Sequence, residues 1–247
     1  MQTEHTSGTA SGPSAIGYDV LVDDSSFPSR RQAARSQHSP ATLFEYAVLK
    51  RAIDILLVLI AAPLLVPVLL LIGISVVLSS PGPVFFSHRR IGIGGTFFSM
   101  WKFRTMCINS AEVLEQHLSA HPEERREWSA THKLRCDPRV TPLGNFLRKS
   151  SLDELPQVWN VLTGKMSLVG PRPIVAAEAE KYGEHFPFYL AVRPGITGLW
   201  QTSGRSTVSY EERVAMDRRY VETWSLQQDC AILLRTASKV ANSEGAY

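Results

Sequence analysis

Apolar residues are distributed very unevenly along this chain. From Ile55 to Ser87 no side chain is charged, and the run from residue 55 to 78 reads ILLVLIAAPLLVPVLLLIGISVVL. A bilayer hydrocarbon layer of roughly 30 Å is crossed by about 20 helical residues, so this run is long enough. A buried helix of a soluble core would be shorter and would carry a polar face. The pattern therefore predicts a membrane segment.

The flanks of this segment leave its arrangement open. Lys50 and Arg51 precede it and basic residues also follow it, so the positive-inside rule selects neither orientation. Pro63 and Pro67 lie near its middle, where each removes a backbone hydrogen bond and favours a kink. A hairpin that enters and leaves on the cytoplasmic face and a kinked single pass both fit these residues.

The rest of the chain divides into a tail and a globular part. Residues 1–42 are rich in Ser, Thr, Gly and Pro, which predicts a disordered tail. Residues 43–82 form the membrane segment, and 83–247 form a cytosolic domain. In that domain, PVFFSHRRIGIGGTFFSMWKFRTM alternates apolar and polar residues around a Gly-rich centre, which predicts a β-hairpin. Helical patterns follow at 109–131 with a break at Pro122, and at 141–149, 152–163, 174–183, 209–222 and 226–241. The expected fold class is α+β: a mostly helical domain with a small β-hairpin, anchored by one N-terminal re-entrant membrane helix.

Composition excludes several classes of protein. The 247 residues carry a net charge of +3, which is too small to indicate nucleic-acid binding. Three dispersed cysteines cannot build a disulfide framework or a thiolate zinc site. His117 and His121 stand four residues apart, a spacing that two metal ligands can have, but no third ligand lies nearby, which favours surface histidines.

Candidate chemistry concentrates in LRKSSLDELPQVWNVLTGKMSLVGPRP, residues 147–173. Asp153 and Glu154 precede an apolar helical pattern, which would place both carboxylates at a helix N-terminus. Ser151 and Glu154 also have the spacing of a capping box, so a purely structural role fits the same residues.

Arginines on rigid turns favour a catalytic role over capping. Arg172 lies in a Gly-Pro-Arg-Pro turn, Arg193 precedes Pro-Gly, and Arg205 follows Gly204. Guanidinium groups on such turns are pre-organised for bidentate phosphate contacts. Together with two carboxylates they describe a site for Mg²⁺ and a diphosphate.

The order of these motifs resembles the bacterial sugar transferase family, the monotopic polyprenyl-phosphate phosphoglycosyl transferases. The resemblance covers about residues 47–247. It rests on GPVFFSHRRIG, KFRTM, DPRVTPLGNFLRKSSLDELPQVWNVLTGKMSLVGPRP, RPGITGLWQTSGR and DRRYVETWSLQQD. It is closest in kind to members that transfer galactose or glucose 1-phosphate at the start of exopolysaccharide synthesis.

The resemblance implies a reaction and a location. Asp153 would attack the sugar-proximal phosphorus of a UDP-hexose and expel UMP, and polyprenyl (undecaprenyl) phosphate would then displace the aspartate. Glu154 would hold Mg²⁺. Residues near the phosphates would be Arg172 and Arg205, together with Lys102, Arg104 and Arg193. The family's helix break at a Ser-Pro pair corresponds to Val66-Pro67, with Pro63 one turn earlier. The enzyme would lie in the inner membrane with its domain on the cytoplasmic face and supply downstream glycosyltransferases, with no nucleic-acid partner. A membrane-anchored adaptor without catalysis is the alternative, and it would not require Asp153.

Overall fold

A computed structural model describes residues 44–131, 134–203 and 208–241 of the chain. The predicted disordered tail, residues 1–42, lies outside this part. The described residues are mostly helical, with two small two-stranded sheets and one long apolar helix at the N-terminal end. This confirms the mostly helical fold and the predicted hairpin.

Helix α1 runs from Phe44 to Ser79 and contains both Pro63 and Pro67. Within the described residues it is the one helix long and apolar enough to cross a membrane. The helical assignment continues through both prolines, so the break expected at Pro67 does not appear as a gap in the helix.

The hairpin consists of β1, Phe85–Ile91, and β2, Phe97–Phe103, which pair antiparallel with Phe86 opposite Lys102. The Gly-rich centre forms the connection, a 3₁₀ turn at Ile93–Gly95 in which Gly94 has a φ of 66°. This region of positive φ is open to glycine without steric cost, which explains the glycines in the turn.

Helices of the domain follow the predicted pattern in most places. The segment 109–131 forms α2, Ser110–Ala120, and α3, Pro122–Thr131, on either side of the expected break. After it come α4, Pro142–Lys149, and α5, Gln157–Leu162. Toward the C-terminus lie α6, Ala176–Ala179; α7, Phe186–Ala191; α8, Leu199–Ser203; α9, Tyr210–Glu222; and α10, Leu226–Ala241. A 3₁₀ segment, Glu180–His185, joins α6 to α7.

A second sheet was not predicted. Strands β3, Ser167–Val169, and β4, Gly195–Thr197, pair in parallel. Each has only three residues, too few for the alternation that identifies a strand in a sequence. This sheet places the Gly-Pro-Arg-Pro turn directly after β3.

Helix α1 packs against the globular domain at Val58 and again from Val68 to Val76. Val58 packs with Phe98 and Met100 of β2, and Ile72 and Val76 pack with Phe103. The exposed apolar side chains on this stretch of the helix include Leu59, Ile60, Leu64, Val66, Leu70 and Leu71.

Lys50 and Arg51, which the sequence presents as basic flanks, are both engaged by the domain. Lys50 Nζ lies 2.8 Å from Asp229 Oδ2 of α10 and 3.6 Å from Asp54 Oδ1. The Arg51 guanidinium donates to the carbonyl oxygens of Val161 and Leu162 at the end of α5. The N-terminal end of α1 is therefore fixed by ionic and hydrogen-bond contacts.

His117 and His121, which the sequence predicts as surface histidines, are both half-buried. The His117 and His121 rings stack with centroids 4.3 Å apart, and His117 Nε2 lies 2.7 Å from Glu124 Oε2. No group of three or more metal-binding side chains is found among the described residues.

Candidate active site

Asp153 and Glu154 lie in a 3₁₀ turn, Leu152–Glu154, between α4 and α5. The capping-box alternative is wrong, because Ser151 makes no side-chain capping bond and has a φ of 57°. Helix α5 begins at Gln157, one turn after the position that the spacing indicated. A non-glycine residue with positive φ is uncommon and strained, and such residues cluster at functional sites.

Lys102 of β2 joins this pair of carboxylates. Its Nζ lies 2.6 Å from Glu154 Oε1 and 3.6 Å from Asp153 Oδ2. The side chain of Asp153 is 11% exposed and that of Glu154 is 31% exposed, so water reaches the second carboxylate more freely. We call these three residues the Lys102 cluster.

Burial and charge act differently on the two carboxyl groups. Burial raises the pKa of Asp153 above its ordinary value, and the nearby Lys102 opposes that rise while Glu154 adds to it. Burial alone would also raise the pKa of Glu154, but the charge and hydrogen bond of Lys102 outweigh it and the pKa is lowered. One carboxylate is thus the more basic, and the other is held ionised by the lysine.

The charge of Arg148 of α4 also acts on Asp153. Arg148 Nε donates to Thr105 Oγ1 at 2.9 Å, which fixes the guanidinium. The close approach of α4 to this strand end is possible because Gly144 lies against Thr105, where a Cβ would come within 2.0 Å of the Thr105 carbonyl oxygen.

The second sheet positions Arg172. Gly170 and Gly195 face each other so closely that a Cβ on Gly195 would lie 2.1 Å from the Gly170 nitrogen. Gly195 N donates to the Pro171 carbonyl at 2.8 Å, which closes the turn that carries Arg172. Arg172 is exposed, and its charge acts on Glu154. The guanidinium therefore faces the cluster from a rigid support.

Arg104 and Arg193 have other contacts. The Arg104 guanidinium donates to the carbonyls of Ser80 and Pro81 after α1, at 2.5 and 2.6 Å. Arg193 Nε donates to the Gly164 carbonyl at 2.9 Å. Arg205 lies outside the described residues. The structure thus brings together Lys102, Asp153, Glu154 and Arg172 of the predicted set, with Arg104 and Arg193 bound to backbone carbonyls.

Three residues that interact with Arg172 or its aromatic neighbour were not predicted from the sequence. Trp200 of α8 has Arg172 Cζ 5.7 Å and Arg213 Cζ 4.8 Å from its ring centroid, and Arg90 of β1 interacts with Arg172 through its charge. The hairpin register was the signal that could have identified Arg90. It lies an even number of positions from Phe86, the partner of Lys102, and therefore on the same face of the sheet.

The donor set fits a magnesium ion held partly by substrate. Mg²⁺ is typically bound through one or two carboxylates plus substrate phosphates. Asp153 and Glu154 supply two adjacent carboxylates, and the described residues contain no larger ligand group that would form a complete protein cage.

Comparison with known proteins gives consistent matches over this same region. A family model described as bacterial sugar transferase matches residues 45–243. A UDP-galactose-lipid carrier transferase of Erwinia amylovora is 49% identical over 199 residues, which are 81% of this chain and 42% of that protein. An undecaprenyl-phosphate galactose phosphotransferase of Salmonella typhimurium is 47% identical over 203 residues, with 81% and 42% covered.

A third relative matches along its whole length. Exopolysaccharide production protein ExoY of Rhizobium meliloti is 47% identical over 225 residues, which are 88% of this chain and 100% of that protein. The chain therefore spans about two fifths of the Erwinia and Salmonella proteins and all of ExoY.

Proposed function

The chain belongs to the bacterial sugar transferase family, and on this premise we propose that it transfers a hexose 1-phosphate from a UDP-hexose to polyprenyl phosphate, releasing UMP. The observation that carries the proposal is the Lys102 cluster, in which a largely buried aspartate lies beside a lysine-bound glutamate. The printed names of the Erwinia and Salmonella relatives support a lipid-carrier acceptor and galactose as the first hexose to test. The name of ExoY supports a role in exopolysaccharide production.

The first step forms a covalent intermediate on Asp153. A carboxylate oxygen of Asp153 attacks the sugar-proximal phosphorus, and a new O–P bond forms. The bond from that phosphorus to the bridging oxygen breaks, and its electron pair leaves with UMP. The raised pKa of Asp153 makes it the more basic carboxylate, which favours it over Glu154 as the nucleophile.

The second step returns the enzyme to its starting state. An oxygen of polyprenyl phosphate attacks the same phosphorus, and the O–P bond to Asp153 breaks. Both displacements occur at phosphorus, so the anomeric C–O bond stays intact. Dividing the transfer in this way lets a water-soluble donor and a lipid acceptor use one site in turn.

The cations of the site would neutralise phosphate charge during both steps. Lys102 lies between the two carboxylates, the charge of Arg148 acts on Asp153, and that of Arg172 acts on Glu154. Glu154 would hold Mg²⁺, which supplies charge neutralisation of the diphosphate when bound.

Helix α1 supports the proposal that the enzyme enters the membrane from one side. Its contact with the domain at Val58 is followed by contacts from Val68 onwards, so about nine residues, roughly 14 Å of helix, lie between them. That length is shorter than the roughly 30 Å of hydrocarbon that a spanning helix must cross. A helix that contacts one domain on both sides of a short, largely exposed apolar stretch fits re-entry, and re-entry would put the Lys102 cluster near the lipid headgroups. The domain would then lie on the cytoplasmic side of the inner membrane, where the lipid-linked sugar would pass to downstream glycosyltransferases.

Re-entry can be tested with a cysteine in the tail. In a variant whose three natural cysteines are replaced by serine, Ser26→Cys should react with an impermeant maleimide only after the inner membrane is permeabilised. Labelling in intact spheroplasts would show that α1 crosses the bilayer.

The reaction is tested by intact-protein mass measurement without lipid acceptor. Incubation with UDP-galactose and Mg²⁺ should add the mass of a hexose phosphate and release one UMP per enzyme, with the adduct mapped to Asp153. Asp153→Asn should fold and give no adduct. UDP-glucose and an N-acetylated donor in parallel identify the sugar. Lipid-dependent UMP release with no adduct would overturn the two-step route, and unimpaired function in cells of the Asp153→Asn protein would support the adaptor.

A further inference from the structure

Arg90 lies on the face of the hairpin that carries Lys102, but it is not part of the Lys102 cluster. In the register of β1 and β2, Phe86 is opposite Lys102 and Arg90 is opposite Phe98, so both basic side chains project from one face. Four residues of strand separate the two positions, or about 13 Å. Both side chains nevertheless act on Glu154. The charges of Arg90 and Lys102 therefore both act on this carboxylate, although only Lys102 is bonded to it.

The Arg90 side chain is largely buried and incompletely paired. It is 16% exposed, and its Nε is buried with no hydrogen-bond partner among the described residues. Its ion pair is a long one, 3.8 Å from Nη1 to Glu178 Oε2, and that carboxylate also accepts the Val175 backbone N–H at 3.1 Å. A buried donor without an acceptor is destabilising, by about 1–3 kcal/mol for neutral groups and more for charged ones.

Two other hydrogen-bond donors, a guanidinium and a hydroxyl group, are relevant to Arg90. Arg172 is close enough that, after burial, its charge is the main factor that lowers the pKa of Arg90. Tyr210 Oη is buried and has no hydrogen-bond partner in the part of the chain that the structure describes. The charge of Glu178, the ion-pair partner of Arg90, acts on Tyr210, as do those of Asp217, Arg213 and Arg172. Two guanidinium groups and a hydroxyl group are donors that can together bind an anion.

We propose that Arg90, together with Arg172, binds the phosphate of the leaving nucleotide. This inference rests on the proposed function and adds a binding residue to the same site. The charges acting on Asp153 are those of Lys102, Glu154 and Arg148, whereas the charges of Arg172 and Arg90 act on Glu154. The phosphorus under attack must lie next to Asp153. The second phosphate of the donor therefore lies on the Glu154 side, where the two arginines are.

The arginines are placed where charge develops in the first step. As the Asp153 O–P bond forms and the bridging O–P bond breaks, the electron pair stays on the oxygen of the nucleotide phosphate, which becomes more negative. Cations fixed at that position stabilise the leaving group more strongly in the transition state than in the bound donor. Arg90 contributes a planar fork of donors, including the unpaired Nε, that a phosphate can accept.

The test compares Arg90→Gln with Arg89→Gln, its neighbour on the strand. Arg89 is exposed on the opposite face of the hairpin, with Cζ 4.2 Å from the Phe97 ring centroid. Binding of UMP is measured by titration calorimetry and by the ligand-induced rise in unfolding temperature. Arg90→Gln should weaken UMP binding by about 10- to 100-fold, while Arg89→Gln should bind as the wild type does. Without ligand, Arg90→Gln should unfold at the wild-type temperature or above, because it removes a poorly paired buried charge.

Other results would overturn the inference. Arg90→Gln that binds UMP normally but unfolds at a lower temperature would show that Arg90 only pairs with Glu178. If Arg90→Gln does not fold, Arg90→Lys takes its place, since it keeps the charge and loses the fork. It should fold and bind UMP at least about 5-fold more weakly.

The two proposals fail in different ways. If the wild-type protein forms the hexose-phosphate adduct and Arg90→Gln binds UMP as tightly as the wild type does, the proposed function is supported and this inference is wrong. A wild-type protein that neither forms the adduct nor binds UMP would end both.

Discussion

Two lysines in this molecule each lie between two carboxylates, at nearly equal distances, in entirely different surroundings. Lys102 Nζ is 2.6 Å from Glu154 and 3.6 Å from Asp153. Lys50 Nζ is 2.8 Å from Asp229 and 3.6 Å from Asp54, and we call these three residues the Lys50 cluster. The distances alone do not distinguish a catalytic group from a structural one.

The Lys50 cluster and the Lys102 cluster differ in burial and in hydrogen bonding. In the Lys50 cluster the side chains are 3–7% exposed. Further donors complete it: Tyr220 Oη and Trp224 Nε1 donate to Asp229, and the Leu168 N–H donates to Asp54. In the Lys102 cluster the side chains are 11–31% exposed. The first is a closed network that fastens α1 to α10 and β3, and the second is open to a ligand.

The largest expected effect is the loss of stability on removing Lys50 from its cluster. Lys50→Met leaves two buried carboxylates without their cation, which should destabilise the protein by about 3–5 kcal/mol. Thermal unfolding in detergent micelles should show a large fall in the unfolding temperature. Lys165→Met, at an exposed lysine, is the matched control and should change stability by no more than about 0.5 kcal/mol. If Lys50→Met is as stable as the wild type, the other hydrogen-bond donors are enough to stabilise Asp54 and Asp229. The two clusters would then depend on their lysines to a more similar degree than their burial indicates.

The second prediction concerns the open cluster, where the same substitution should affect chemistry more than folding. Lys102→Met should lower turnover by about 100-fold, because a cation is removed from beside the phosphoryl group. Its effect on stability should be about 1 kcal/mol, since Glu154 reaches water.

The pH dependence of the same variant gives an independent readout. Lys102 lowers the pKa of both Asp153 and Glu154. Its removal raises both, so more of each carboxyl group is protonated at low pH and the acidic limb of the pH–rate profile should move to higher pH. An unmoved limb would show that neither carboxyl group titrates in the step that limits the rate.

Much of the framework around the open cluster followed from the sequence. The alternation on either side of the Gly-rich turn identified the hairpin and so placed Lys102 on a strand. The Pro-Gly turns identified Arg172, and the charge-free run identified α1. These features depend on local backbone preferences, which a sequence displays directly.

Features that depend on contacts between distant residues could not be predicted. Asp229 is 179 positions after Lys50, and nothing in either segment shows that they meet. The 3₁₀ turn at Leu152–Glu154 was mistaken for the start of a helix, because Ser151 matches the capping pattern while its backbone is left-handed. The three-residue strands that position Arg172 are held by close glycine contacts, and these leave no periodicity.

Asp217 of α9 is as buried as the Lys50 cluster, but its hydrogen bonding is incomplete. Its substitution has the smallest predicted effect. Asp217 is 2% exposed, and Tyr182 Oη donates to its Oδ2 at 2.8 Å. Its Oδ1, however, has no hydrogen-bond partner among the described residues, and no lysine or arginine forms an ion pair with it there. Burial raises the pKa of Asp217 to about 7, against the opposing hydrogen bond from Tyr182 and the charge of Arg172.

A raised pKa in the folded state gives stability a definite dependence on pH. Between its ordinary pKa of 3.8 and about 7, Asp217 holds a proton in the folded state that the unfolded state releases, so stability falls as pH rises. From pH 5 to pH 6 this amounts to about 1 kcal/mol, and Asp217→Asn, which keeps an acceptor for Tyr182, should remove that part of the slope. Unfolding temperatures of both proteins at the two pH values measure it. Parallel slopes would show that a buried carboxylate without a cation is tolerated ionised in this domain, and that burial as deep as that of the Lys50 cluster does not by itself require a lysine.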